Sequence, residues 1–477
     1  MTTPTHPNIS PNNPPSVEVP VFVQRPVTQT GILGWIRKNL FGSWYDAVLT
    51  LIIAYILLSF GRNFLDWVVN QARWNVVTDN LRSFMTGLYP IDQGWRVALA
   101  MITLVTLAGI SWGVWGRMVA SIVVTLVIGV VLLVLLPMLN TGGSWADGEG
   151  IGRFLGGDII ALVRVLQAPL LLIILFLAVG YAVGRFGVRL NKQPIGRIVL
   201  IGWFVAIPLS FVLVRGLGVG TPVLPYVSPN SWGGLLLTFM LAFVAITACF
   251  PLGILLALGR ASGLGARKRP FKGGRWWWLN PLQWVNALRG WWSSLGTLPI
   301  IKLACTVFIE FMRGVPLVTV FFTANVIVPL ALGGDIQVDN VVRAMVALTL
   351  FEAAYVAEIV RGGLQAVPPG QLEAARAIGL NPIQATLFII LPQAIRTVIP
   401  TLVGQFISLF KDTSLAVIIG LLELIGTAQS IYARQEFNAQ RREVLVFIAL
   451  VYFVFSYGMS YAARQLERQG SGKAKRT

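Results

Sequence analysis

Apolar stretches of roughly 17–25 residues recur along this chain with few charges inside them, and that is the length a helix needs to cross about 30 Å of hydrocarbon. A soluble domain carries about 25% charged residues. This chain of 477 residues carries 12% charged and 56% hydrophobic residues, with a mean hydropathy of +0.74. Too little polar surface remains to cover a water-facing protein, so the fold class is an all-α polytopic membrane protein. Ten spans are predicted, at about 44–60, 95–113, 118–138, 162–183, 197–214, 234–258, 303–331, 341–360, 398–422 and 443–463. The 16 tryptophans suit the belts found where membrane meets water.

Lysine and arginine set the orientation. The segment 185–197 holds Arg185, Arg189, Lys192 and Arg197 and no acid, and 259–302 holds Arg260, Arg267, Lys268, Arg269, Lys272, Arg275, Arg289 and Lys302, again with no acid. The C-terminal end is rich in Arg464, Arg468, Lys473, Lys475 and Arg476. The positive-inside rule places all three in the cytoplasm. Segment 139–161, with Asp147, Glu149 and Asp158 against Arg153, and segment 332–340, with Asp335 and Asp339, fall outside. Both termini are then cytoplasmic. One loop breaks the pattern: Arg434, Arg441 and Arg442 fall outside, through either a misplaced boundary or a functional basic rim. The net charge of +18 is therefore read as loops meeting anionic membrane lipid, not as a nucleic-acid site.

Two cysteines, Cys249 and Cys305, lie in apolar stretches and read as helix-surface filling, and the one histidine, His6, sits in the N-terminal tail. This inventory allows no His/Cys metal cluster. The first twenty residues have neither a basic n-region nor an apolar h-region and are not read as a signal peptide; residues 1–40 are predicted to be a disordered tail. Segment 61–94, with Trp67 and Trp74, reads as one or two helices at the outer face. The run Trp276-Trp277-Trp278, with Trp284, Trp291 and Trp292, reads as a cytoplasmic interfacial anchor.

Residues 41–230 are plain hydrophobic spans, whereas 231–465 hold the unusual polar features. The most informative stretch is 352–426. A span ends near Arg361, Gly362 and Gly363 loosen the chain, and Pro368-Pro369-Gly370 turns it. QLEAARAI makes a short helix stopped by Gly379. Asn381-Pro382 then starts another, with Asn as N-cap and Pro at the first position, running to Pro392. A connection of roughly 35 ordered residues is far longer than a link between two spans requires, and it reads as a docking surface. Small side chains at Ala374, Ala375 and Gly379 permit a partner to approach closely.

The residues Glu373, Ala374, Ala375, Gly379, Leu391 and Pro392 resemble the EAA loop of type I ABC importer permeases. The stretches FIEFMRGVPLVTVFF (308–322), YVAEIVRGGLQAVPPGQLEAARAIGL (355–380) and LPQAIRTVIPTLVGQFISLFKDTSLAVIIG (391–420) resemble the polar amino acid branch, the histidine/glutamine/glutamate family. FTANVIVPLAL (322–332) and the long N-terminal extension are similar to its general L-amino acid subgroup. The close match covers about 234–465, and the loop 259–302 is longer and richer in tryptophan than that family's minimal form. The resemblance implies a MetI-like core in the C-terminal five spans, preceded by about five accessory spans. It implies a coupling loop at 361–397 whose helix, at 371–379, sits in a groove of the nucleotide-binding subunit. It also implies residence in the bacterial inner membrane, a second permease subunit (a paralogue), a dimer of ABC ATPase subunits, an extracytoplasmic amino-acid-binding protein and an L-amino acid substrate. The domains are then 1–40, 41–230, 231–465 and a basic tail at 466–477.

ATP and Mg are expected on the partner ATPase, with no cofactor on this chain. A P-loop needs G-x-x-x-x-G-K-[ST], and the one near match, Gly472-Lys473, has Glu467 and Ala474 at the other required positions. The sequence offers no convincing catalytic constellation, so the chain is read as a transport subunit and not as an enzyme. The alternative, an ion-gradient-driven secondary amino acid transporter, would need mid-span acids without arginine partners and no docking loop.

Substrate-path candidates come from the polar residues of the spans. Glu310 and Arg313, and Glu358 and Arg361, are three apart and can pair on one helix face. Such charges either hold and gate the structure or contact substrate directly. Gly314 and Pro316 should break the helix and free carbonyls, and broken helices near midmembrane favour zwitterions. Lys411, Asp412, Thr413 and Ser414 form a second such place, or else a capped break between two half-helices. Asn325 and Tyr355 complete the set, with helix packing as their plainer role.

Overall fold

The computed structural model describes residues 32–115, 160–190, 192–218, 224–261, 300–331 and 338–472. The expected span at 118–138, most of the acidic segment 139–161, the tryptophan-rich segment up to 299, Asp335 and the two extreme tails lie outside these residues. The chain divides into two compact units, residues 1–71 and 72–477.

In the first unit α1 (Ile32–Leu40) leads into α2 (Trp44–Gln71). Thr50 Oγ1 donates to the Leu40 carbonyl at 2.8 Å and ties the two together. No residue of α2 between Trp44 and Asp66 is buried. Most of its large apolar side chains are exposed, as suits a helix matched to lipid. It runs on through a π turn at 67–71, so residues 61–71 extend the span and do not begin the outer loop.

The second unit contains α3 (Asn75–Asp79), α4 (Leu81–Thr86), α5 (Gly94–Trp115), α6 (Ile160–Leu190), α7 (Lys192–Arg215) and α8 (Gly234–Ala261). Then come α9 (Ile300–Gly314), α10 (Leu317–Ala331), α11 (Asn340–Ala366), α12 (Pro369–Ala377), α13 (Pro382–Ile419), α14 (Leu424–Tyr432) and α15 (Arg441–Gly472). Among the described residues seven helices of the chain are long and apolar enough to cross a membrane, or eight if α9 and α10 form one span broken by 109°. That bend sits where Gly314 and Pro316 were expected to break the helix. The 27-residue α11 is long enough as well. It carries Arg343, Glu352, Glu358 and Arg361, and much of it is buried in protein: Ala344, Leu348, Val356 and Val360 are fully enclosed.

Helix α11 is central, packed on α8, α9 and α13. Glycines set how closely these helices approach. A Cβ on Gly253 of α8 would stand 2.5 Å from a Val356 methyl, and one on Gly363 of α11 would stand 2.7 Å from the Ala394 carbonyl. Gly362 and Gly363 therefore do not loosen the chain. The helix continues to Ala366, and Gly363 is the point of contact with α13.

Helices α5 and α6 cross on two matched glycine pairs, Gly109 with Gly180 and Gly113 with Gly184, where an added Cβ would strike the other helix's backbone. This small-xxx-small pattern allows backbone-to-backbone packing in lipid. Trp203 of α7 donates to Ser111 Oγ of α5 at 3.0 Å. The short helices expected after the first span are α3 and α4. Their Val76, Val77 and Phe84 join Leu424, Ile431 and Val444 in one apolar cluster.

Of the three arginines expected in one outer loop, Arg434 lies between α14 and α15 and the other two open α15. Arg434 donates to Asn80 Oδ1 at 3.1 Å and Arg441 stacks on Tyr432 with its guanidinium 5.0 Å from the ring centre. The expected loop 424–442 is shorter than read: α14 occupies 424–432, and α15 begins at Arg441, so Arg441 and Arg442 lie in the first turn of that helix.

Candidate functional site

The segment between α11 and α13 is a helical hairpin. Helix α12 ends in a Schellman closure: Leu380 N–H donates to the Ala375 carbonyl at 3.1 Å and Gly379 N–H to the Arg376 carbonyl at 3.0 Å. Closure needs a left-handed residue, and Gly379 supplies it at φ +84°. Asn381 then forms a reciprocal cap with Gln384, its Oδ1 accepting from Gln384 N–H at 2.8 Å while Gln384 Oε1 accepts from Asn381 N–H at 3.1 Å. Pro382 follows at the first helical position.

Pro392 does not stop the second helix. A π turn at 385–390 precedes it, and the wider turn accommodates a residue with no N–H to give. Helix α13 thus runs unbroken from Pro382 to Ile419. Its 38 residues span about 57 Å, well beyond about 30 Å of hydrocarbon, so the hairpin stands off the end of a span.

The hairpin sorts its residues by exposure. Glu373, Ala374 and Gly379 face outward, as does Pro392, while Leu391 is half-buried. Ala375 is buried, and α12 lies against the π turn of α13 that contains buried Ala385. The small side chain at Ala375 therefore serves packing within the hairpin. Three large apolar side chains stand out from it: Ile378 is 74% exposed, Ile383 70% and Phe388 69%.

A second constellation joins α8, α9 and α11. Arg260 at the end of α8 reaches Glu310 of α9 at 2.8 Å and Glu358 of α11 at 3.2 Å. Glu358 also holds Arg361, whose Nε donates at 2.8 Å. Arg313 stands 4.0 Å from Glu310, and its guanidinium lies 5.8 Å from the centre of the Tyr355 ring. The structure thus brings Glu310, Arg313, Tyr355, Glu358 and Arg361 together. The sequence reading missed Arg260, which bridges the two helices. In the sequence it reads only as a loop charge, because its partners are 50 and 98 residues away. Three guanidiniums meet two carboxylates, which leaves a positive excess.

The other candidates lie apart from this group. Asn325 sits in a π turn of α10, its amide donating to the Phe321 carbonyl at 3.1 Å and its Oδ1 buried without a partner among the described residues. Residues 411–414 do not separate two half-helices: at Asp412 the α-helix tightens into a 3₁₀ segment, 413–419, closed by Gly420 at φ +80°. Lys411 is exposed, Asp412 and Ser414 are half-buried, and buried Thr413 donates to the Phe410 carbonyl at 2.7 Å. Near this segment Glu423 caps α14. It accepts from Ile425 N–H and Gly426 N–H, both at 2.9 Å, and from the Tyr452 hydroxyl at 3.2 Å. Burial pushes its carboxyl up to about 7, against the pull of those donors.

One finding runs against the sequence reading. Glu352 is a buried mid-span acid with no arginine partner among the described residues, the kind of group held to be absent. Its Oε2 accepts from Gln405 of α13 at 2.9 Å. It went unnoticed because it lies six residues from the more conspicuous Glu358–Arg361 pair. No group of three or more His, Cys, Asp or Glu among the described residues could hold a metal ion.

Residues 287–469 match the family described as the binding-protein-dependent transport system inner membrane component. The chain is 32% identical over 454 residues to the inner membrane amino-acid ABC transporter permease protein YhdY of Escherichia coli K12, covering 91% of this chain and 92% of the relative. It is 31% identical over 478 residues to the glutamate/glutamine/aspartate/asparagine transport system permease protein BztC of Rhodobacter capsulatus, covering 93% and 95%. Among solved structures, an amino acid ABC transporter crystallised with histidines aligns over 50% of this chain and 92% of its own, at 28% identity and a TM-score of 0.39.

Proposed function

Because the chain belongs to the type I ABC importer permeases of the polar amino acid family, we propose that it carries polar L-amino acids of the glutamate, glutamine, aspartate and asparagine kind into the cytoplasm, with energy supplied by a separate ATPase docked on the hairpin 361–397. The observation that carries the docking claim is the hairpin itself. It stands off the membrane end of α13, is rigidly closed at both turns, and exposes Ile378, Ile383 and Phe388 to a solvent that an unpartnered surface would avoid.

The working assembly is this chain, a paralogous permease subunit, an ATPase dimer carrying ATP and Mg, and an extracytoplasmic amino-acid-binding protein. Both termini and the hairpin lie in the cytoplasm of a bacterial inner membrane. Residues 231–465 form the translocation domain, 41–230 an accessory region, and 1–40 and 466–477 the tails. Glu373, Ala374, Ala375, Gly379, Leu391 and Pro392 form and shape the coupling surface. The group of Glu310, Arg313, Tyr355, Glu358, Arg361 and Arg260 lines the substrate path, with Asn325 and residues 411–414 further along it. Closure of the ATPase pair on ATP moves the hairpin as a unit. Through the unbroken α13 that motion reaches the packed α11–α13 interface.

The test is co-purification. The paired substitution Ile383→Asp and Phe388→Asp, on exposed positions, is expected to leave membrane insertion and melting unchanged and to abolish recovery of the ATPase with the tagged permease. Recovery at wild-type levels would remove the docking claim.

A further inference from the structure

Glu352 lies midway along α11, fully buried and facing Gln405 of α13. Only one of its oxygens is used. Oε2 accepts from Gln405 Nε2 at 2.9 Å, while Oε1 is buried with no hydrogen-bond partner among the described residues. A second acid, Asp412 of α13, and the buried Cys249 of α8 both lie within electrostatic reach of it. No guanidinium or ammonium among the described residues pairs with it. An unsatisfied carboxyl at this depth lowers stability. A glutamine would tie α11 to α13 through the same amide contact without the charge, so packing alone does not account for an acid here.

The surroundings supply the complement of a zwitterion. One helical turn along α11 from Glu352 is Tyr355, with Arg313 set against its ring. Beyond it, about 9 Å from Glu352 along the axis, Glu358 marks the cluster whose three guanidiniums outnumber two carboxylates. Along one helix the order is therefore an acceptor short of a donor, an aromatic ring, and a positive excess. The regular stretch of α13 that carries Gln405 is bounded by a π turn at 385–390 and a 3₁₀ segment at 413–419. Such departures from α geometry are where a helix can be remodelled.

We propose that Glu352 is a substrate-binding residue that receives the α-ammonium group of the transported amino acid when α11 and α13 part, with Gln405 positioning the carboxyl and Arg313 attracting the α-carboxylate. This rests on the amino acid permease reading above, and it assigns an atom of that path to one end of the substrate.

The experiment uses the complete transporter in proteoliposomes with loaded binding protein, and labelled L-glutamine and L-glutamate as probes. Wild type, Glu352→Gln and Glu352→Asp are compared for apparent KM, maximal rate and melting temperature. Glu352→Gln is expected to raise KM about tenfold or more for both probes, with melting unchanged or raised. Glu352→Asp, which keeps the charge, is expected to recover most of that loss. Wild-type KM in Glu352→Gln overturns the proposal, and so does a fall in melting temperature shared by both variants with KM unmoved, which marks a structural tie. If the wild-type transporter carries neither probe, the amino acid reading fails as well; if it carries them and Glu352→Gln matches it, only the role of Glu352 fails.

Discussion

At Gly379 the requirement for glycine is conformational. An added Cβ there would meet nothing within 4 Å, yet the residue sits at φ +84°. L-residues pay about 1–2 kcal/mol in that region, with asparagine tolerated better and β-branched residues worst. Gly379→Asn is therefore expected to keep the α12–α13 turn and most transport, whereas Gly379→Val destabilises the hairpin by about 2 kcal/mol or more. Limited proteolysis at 378–382 reads the difference, and equal protection of the two variants would contradict it. The stop at Gly379 and the cap at Asn381 were legible in the sequence because each depends on residues no more than five positions away. Arg260 and Glu352 were not, since their significance comes from partners on other helices, and a chain read in order gives no such pairings.

Between elements, closeness of approach is set by glycines that sequence patterning left unmarked. Residues 41–230 read as plain apolar spans, yet Gly109, Gly113, Gly180 and Gly184 bring α5 and α6 into backbone contact. The four-residue spacing in both helices was the available signal. Gly180→Leu is expected to force the pair apart and to lower stability by about 1–3 kcal/mol, seen as earlier thermal unfolding in detergent. Gly61, whose Cβ would meet nothing within 4 Å, serves as the control, and equal melting of Gly180→Leu and Gly61→Leu would contradict this account. Prolines misled in the opposite direction. Pro316 marks a real break, but Pro392 sits inside a continuous helix because a π turn precedes it. A residue type alone does not reveal which turn its neighbours adopt.

For the whole molecule, the helical class and most spans follow from apolar block length, and a full-length relationship to amino acid permeases fixes the family. The buried acid at Glu352 is a feature an ion-coupled carrier would also use, so the energy source is the claim that most needs direct measurement. Purified permease with its partners, reconstituted with binding protein and labelled L-glutamine, provides it. The account predicts accumulation that requires ATP on the hairpin side, persists when proton and sodium gradients are collapsed, and disappears in the Ile383→Asp, Phe388→Asp pair. Accumulation driven by an ion gradient without ATP, or undiminished in that pair, would contradict it.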